Sequence, residues 1–300
     1  MSAPDFASVL DHSKVVVCCG SGGVGKTTTA AALAIAAARR GRRVVLITID
    51  PARRLADALG VGTLSNDPAR VPLDGDTQLW AMMLDARATF DAVIRAQSRN
   101  EAQAERILNN PFYVNIASRL SGSQEYMAAE KLYELANDDR FDLVVVDTPP
   151  TREALDFLEA PQKLMNFLDH RVYRWLMTPA RGGLKVLNLA AQPILRTIGR
   201  VIGADVLADA VDFFQAFEGI EPGFVRRAGA VQSLLKSNEC RYVVVSSARR
   251  DTVDEAIYFI GQLTQRDVAV AGLVLNRLQP AFGKGSANKF RITLWVRGLL

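Results

Sequence analysis

CCGSGGVGKTTTAAA, residues 18–32, decides how the rest of the chain is read. Two fingerprints overlap in it. Gly20, Gly22 and Gly25 satisfy G-x-G-x-x-G, the strand-to-helix turn that binds dinucleotides. Asp50 ends the next apolar run, where an acid would meet a ribose, so this reading leads to a nicotinamide-dependent dehydrogenase. From Gly20 to Thr27 the same residues satisfy G-x-x-x-x-G-K-[ST], which asks for more. Its glycines let backbone N–H groups curl around phosphate oxygens, and the helix that follows adds its positive end. Lys26 would reach the β- and γ-phosphates and the Thr27 hydroxyl would ligate Mg²⁺, two residues that a dinucleotide turn does not need. The second reading is favoured over the dinucleotide turn and over a plain flexible glycine loop.

The flanks agree with it. KVVVCCG (14–20), RRVVLITID (42–50), QLWAMMLD (78–85), FDLVVVD (141–147), RYVVVSS (241–247) and VAVAGLVLN (268–276) are short runs rich in Val and Ile. Their unbroken apolarity predicts strands covered on both faces, as in a parallel sheet. Between the first two, TTAAALAIAAARRG predicts a helix ending at Gly41, and hence a βαβ unit. Residues 86–140 and 157–240 break the alternation and read as helical. Leu164, Leu168, Val172 and Trp175, then Leu207, Val211, Phe214 and Phe217, recur at helix spacing. Polar, turn-prone segments lie at 62–77, 178–183 and 279–289. The expectation is an α/β fold, a P-loop NTPase with a mostly parallel doubly wound sheet. It forms one domain over residues 1–300, with a helical subdomain built from the insertions 86–140 and 157–240.

Composition narrows the class. Hydrophobic residues make up 49% of the 300, ample for a full core, and charged residues 23%. No apolar run approaches the ~20 residues of a membrane span. MSAPDFASVLDHSK lacks a basic start followed by an apolar stretch, so a cytoplasmic location is expected rather than secretion. Cys18, Cys19 and Cys240 form no C-x-x-C pair, and the neighbours Cys18 and Cys19 read as reduced core residues of one strand. With two histidines, a histidine-rich metal site is excluded. The net charge of +4 is spread out and does not argue for nucleic acid. A second acid supports the phosphate-loop reading. LVVVD puts Asp147 at a strand end, where it would hold Mg²⁺ through water or, on the bland alternative, cap a helix near Thr151.

With GGVGKTT, DPARRLADALG and DTPPTREALDFLEAP in hand, the chain resembles the ArsA-type ATPases over about residues 14–280. These include the arsenite-pump ATPase and the tail-anchored-protein targeting ATPase. They share the deviant-Walker-A class with the ParA and MinD partitioning ATPases. The resemblance implies Mg²⁺-dependent ATP hydrolysis at a dimer interface, driving conformational change. Gly20, Ser21, Gly22, Gly23, Val24, Gly25, Lys26, Thr27 and Thr28 would contact the nucleotide. Lys26 and Asp50 would be catalytic, Asp50 orienting the attacking water, and Thr27, Asp50 and Asp147 would surround the metal. Asp147 to Thr151 would sense the γ-phosphate, and Asn276 would read the adenine base. Asp50 as a turn acid before Pro51, and Asn276 as a strand-end turn residue, are the bland alternatives. No N-K-x-D segment of the guanine-specific type occurs, so ATP is favoured.

Three departures matter. The family writes a lysine where this chain has Ser21, and that lysine crosses the dimer interface onto the partner's ATP. A serine has neither the charge nor the reach for this. The expectation is either a heterodimer with a paralogue that retains the lysine or a slow homodimer, with Arg53, Arg54 and Arg152 as candidate substitutes. A catalytically weak partner subunit and a partitioning or scaffold ATPase are further alternatives. Second, arsenic(III) needs clustered thiolates; the cysteine positions predict no such cluster, and the zinc C-x-x-C of the targeting ATPases is missing. Third, residues 281–300 do not resemble the family's ending. There, alternation at Phe290, Ile292, Leu294 and Val296 predicts an edge strand, with a basic, aromatic membrane-surface segment as the alternative. LMNFLDHRVYRWLM (164–177) reads as helix core or, by resemblance, as part of an apolar groove for a client helix or membrane protein.

Overall fold

Valine-rich runs and alanine-rich helices build the first of two compact units. A computed structural model of the chain describes residues 6–50, 54–119, 123–170, 203–278 and 294–295. In chain order the elements begin with α1 (Phe6–His12), β1 (Val15–Gly20), α2 (Lys26–Arg39), β2 (Val44–Thr48), α3 (Arg54–Leu59), β3 (Ala69–Arg70) and β4 (Leu79–Met83). Four helices follow: α4 (Ala86–Gln97), α5 (Glu101–Leu108), α6 (Pro111–Arg119) and α7 (Ser123–Ala136). After β5 (Leu143–Asp147) come α8 (Thr151–Asp169), α9 (Ala204–Phe217) and α10 (Glu221–Lys236). The chain continues through β6 (Cys240–Ser247), α11 (Arg250–Thr264), β7 (Val270–Asn276) and β8 (Leu294–Trp295).

One unit comprises Met1–Asp85, Lys131–Leu158 and Ser233–Leu300. Its sheet has the order β3-β4-β2-β5-β1-β6-β7-β8. The six inner strands are the six apolar runs of the sequence, and they pair in parallel. The two-residue strands at the edges are antiparallel. β3 falls inside the polar segment 62–77 and has no apolar run to announce it; its register is set by pairing with Trp80 and Ala81. β8 pairs Leu294 and Trp295 with Val274 and Leu273 at the edge; the rest of 281–300 lies outside the described residues.

β5 lies between β1 and β2, so α2 passes over that strand on its way from β1 to β2. Ala30, Ala31, Ala34, Ala37 and Ala38 face the sheet and are buried, and such short side chains let the helix axis sit close to it. The helix ends where Gly41, at φ +87°, donates to the Ala38 carbonyl.

The second unit comprises Ala86–Glu130 and Glu159–Gln232, and its regular elements among the described residues are all helices. Its core is aromatic. Phe90, Phe112, Tyr113, Phe213, Phe217 and Phe224 pack edge-on, tilted or stacked, with centroids 5.0–6.4 Å apart. Leu164 and Leu168 join this core, as their helix spacing predicts, while Phe167 is exposed. Val172 and Trp175 lie outside the described residues, as does the remainder of the segment through 177. No helix among the described residues is long and apolar enough to cross a membrane.

Candidate functional site

The site forms where the inner strands β1, β2 and β5 end. Gly20 closes β1 at φ +149°, and a Cβ there would overlap the Val245 carbonyl oxygen of β6, so no larger residue fits. From Ser21 to Gly25 the chain curls before α2 begins. Gly22 and Gly23 are exposed, with open space where a Cβ would stand. Gly25 takes φ +96° and ψ 33° and caps α2, its carbonyl accepting from Thr29 N at 2.9 Å.

Buried contacts anchor the loop. The Val24 side chain is 2% exposed within the sheet core, so this residue offers only its backbone to the site. Lys26 Nζ donates to the Ser21 carbonyl at 3.0 Å and closes the loop on itself. From β7, Asn276 Nδ2 donates to the Val24 carbonyl at 3.0 Å. The Ser21 hydroxyl, 5% exposed, donates to Glu255 Oε2 of α11 at 2.7 Å. It therefore faces its own chain. Thr28 is exposed on the first turn of α2.

Asp147 stands beside this loop at the end of β5, in register with Cys18 of β1 and Thr48 of β2. It is 1% exposed. Thr48 Oγ1 donates to its Oδ2 at 3.2 Å, whereas Oδ1 is buried with no hydrogen-bond partner among the described residues. Burial pushes the Asp147 carboxyl above its ordinary pKa, against the opposing pull of the Thr27 and Thr48 hydroxyls and of Lys26. Burial likewise lowers the Lys26 pKa, although Asp147 and Asp50 favour its charge. The acid's unsatisfied oxygen and the partly desolvated ammonium are both short of the polar partners that buried groups require. Asp50 joins the cluster from the end of β2 and pairs with Arg54 at 3.5 Å.

The residues fit a triphosphate with a hard divalent cation. The open face over Gly22 and Gly23 admits phosphate oxygens, and the Thr27 hydroxyl with the orphan Asp147 oxygen is a donor set suited to Mg²⁺. They do not fit the dinucleotide reading. That reading needs the acid on the strand beside β1, and β5 occupies this place, moving Asp50 one strand further out.

Structure thus brings together Gly20 to Thr28, Lys26, Asp50, Asp147 and Asn276 around one loop. Asp147 ends a strand that runs beside β1 and lies four residues before α8 begins at Thr151. Arg54 is engaged with Asp50; Arg53 and the Arg152 side chain lie outside the described residues. Sequence reasoning missed Thr48 and Glu255. Thr48 has a weak signal, a lone hydroxyl closing an apolar strand; Glu255 has none. Cys18, Cys19 and Cys240 are buried free thiols, and burial pushes the Cys240 thiol up to about 12.

A glycine loop between β1 and α2, closed by Lys26 and flanked by a strand-end aspartate, defines a P-loop NTPase fold. The anion-transporting ATPase family profile matches residues 13–291, and the chain belongs to this ArsA family. It is 27% identical over 239 residues to "ATPase get3" of Schizosaccharomyces pombe, covering 78% of the chain and 64% of that protein. It is 28% identical over 237 residues to "ATPase GET3" of Malassezia globosa, covering 78% and 63%. Against "ATPase asna-1" of Caenorhabditis elegans the identity is 33% over 131 residues, covering 41% and 37%. The chain therefore spans less than two thirds of the length of these relatives.

Proposed function

We propose that the chain is a Mg²⁺-dependent ATPase that cleaves ATP by direct attack of water. The observation that carries this reading is a buried Lys26 closing the loop on the Ser21 carbonyl beside a buried Asp147 whose Oδ1 has no hydrogen-bond partner among the described residues. Backbone N–H groups from Ser21 to Lys26 would bind phosphate oxygens, and Lys26 would exchange its bond to the Ser21 carbonyl for the β- and γ-phosphates. Thr27 and Asp147 would hold Mg²⁺, with Asp50 nearby; when bound, the ion neutralises charge on the phosphate oxygens. Asp50 would exchange its contact with Arg54 for the attacking water. The segment from Asp147 to Thr151 would convert phosphate state into movement.

Ser21 bears on the oligomer. Its hydroxyl is committed to Glu255 of the same chain, so it has no group to offer a neighbouring subunit's phosphates. We therefore propose a dimer with a paralogue that retains the lysine, in which ATP state exposes or hides a surface for an apolar client helix or membrane protein. The exposed Phe167 on α8 is the described residue that supports client handling.

Calorimetry with ATP tests the first proposal: binding that requires Mg²⁺ and disappears in Lys26→Ala is expected, and no heat from the wild-type chain overturns it. Turnover is expected to be slow for the chain alone and to rise with its co-purified partner. Purification from the native cell that yields only self-association overturns the heterodimer. Apolar-probe binding that ignores an ATP analogue removes client handling.

A further inference from the structure

Asn276 lies 252 residues from Val24 in sequence, yet its side-chain amide is bonded to the phosphate loop's backbone. Both ends of that amide are used. Nδ2 donates to the Val24 carbonyl at 3.0 Å, and Oδ1 accepts from Arg277 N at 2.8 Å. Arg277 has φ +55°, so the turn ending β7 holds the Asn276 amide in one orientation. On the loop side the contact is equally close: a Cβ at Gly25 would overlap Nδ2.

The peptide unit explains why this matters. A trans peptide is planar, so the Val24 carbonyl and the Gly25 N–H point in opposite directions. Fixing the carbonyl toward Asn276 fixes the Gly25 N–H away from it. The same plane feeds the left-handed turn at Gly25, whose carbonyl starts α2 through Thr29 N at 2.9 Å. Two pins, Lys26 on the Ser21 carbonyl and Asn276 on the Val24 carbonyl, thus bracket the loop. Lys26 gives up its pin when it turns to phosphate. Asn276 need not.

We infer that Asn276 is a positioning residue for the phosphate loop, acting on the triphosphate through the Val24–Gly25 peptide whatever base the nucleotide carries. This rests on the ATP reading above for its ligand, but its geometry belongs to the protein alone. The competing role, contact with adenine, makes a different prediction, because inorganic tripolyphosphate has no base.

The test compares the wild-type chain with Asn276→Ala and Asn276→Asp by calorimetry, using the Mg²⁺ salts of ATP, GTP and tripolyphosphate. The Asp variant keeps the shape and the acceptor for Arg277 N but exchanges the donor for a charged oxygen that also repels the anionic ligands, so if the Ala variant fails to fold it is read by exchange rather than by affinity. Hydrogen exchange at Thr29 N–H in nucleotide-free protein is the second readout. All three ligands are expected to weaken by a common factor on the order of five- to tenfold, the size of one net hydrogen bond, with faster exchange at Thr29. Loss confined to ATP, or unchanged affinity for all three, overturns the inference. If the wild-type chain binds none of the ligands, the ATPase proposal falls and the exchange readout alone decides the pin: unchanged Thr29 protection in both variants refutes it.

Discussion

Gly25→Ala is the sharpest perturbation of the loop, because two separate costs can be assigned to it. The residue sits at φ +96°, where an L side chain costs about 1–2 kcal/mol. The new Cβ also overlaps Asn276 Nδ2, so the amide must leave, and the 3.0 Å bond to Val24 goes with it. A partly buried hydrogen bond of this kind contributes about 1 kcal/mol net. Gly25→Ala should therefore destabilise by about 2–3 kcal/mol and Asn276→Ala by about 1 kcal/mol. The double variant separates the terms. With Asn276 already truncated, the alanine has nothing to displace, and only the backbone strain is added. The double variant should cost about 2–3 kcal/mol, no more than Gly25→Ala alone, which leaves a coupling of about 1 kcal/mol. Urea denaturation of the wild type and three variants measures it. Additive costs, within about 0.3 kcal/mol, would mean that the bond is not lost in Gly25→Ala and would refute the reasoning.

Asp147→Asn should raise the melting temperature of nucleotide-free protein, since it removes a buried charge with an unsatisfied oxygen, an effect of about 1–3 kcal/mol. The same variant should lose the further rise that Mg²⁺ with ATP produces in the wild type; scanning calorimetry with and without Mg²⁺-ATP reads both, and a wild-type-like ligand shift would count against the metal role. Arg43 holds the Asp142 carboxyl below its ordinary pKa through a side-chain hydrogen bond. Because the folded-state value is depressed, that stabilisation is present above the unfolded carboxylate pKa and is lost as pH falls through the folded one. Arg43→Met should accordingly melt below the wild type at neutral pH and alongside it in acid, as thermal scans against pH will reveal. In the helical unit, Phe217→Ala should cost about 3–5 kcal/mol, since the ring is buried between Phe213 and Phe224; chemical denaturation showing under 1 kcal/mol would mean that this core repacks.

What could be read along the chain was local. Six strands announced themselves because a strand buried on both faces needs an unbroken apolar run, and α2 because alanine lowers the cost of helix. Gly20 to Thr27 were legible because a phosphate loop is built from consecutive residues. The edge strand β3 was not, since pairing rather than hydrophobicity defines it.

Lys26 and Thr27 already favoured one of the two overlapping fingerprints, but only tertiary structure shows why the other does not fit. Both were present in the residues, and what separates them is that β5 inserts between β1 and β2, taking Asp50 away from β1 and bringing Asp147 beside it. The same holds for Thr48 on Asp147, Glu255 on Ser21 and Asn276 on Val24, contacts spanning 99, 234 and 252 residues. Backbone propensity and apolar period act over a few neighbouring residues, so they specify elements. Which strands lie side by side follows from how the elements bury one another, and that places the acid, the amide and the ammonium around one loop.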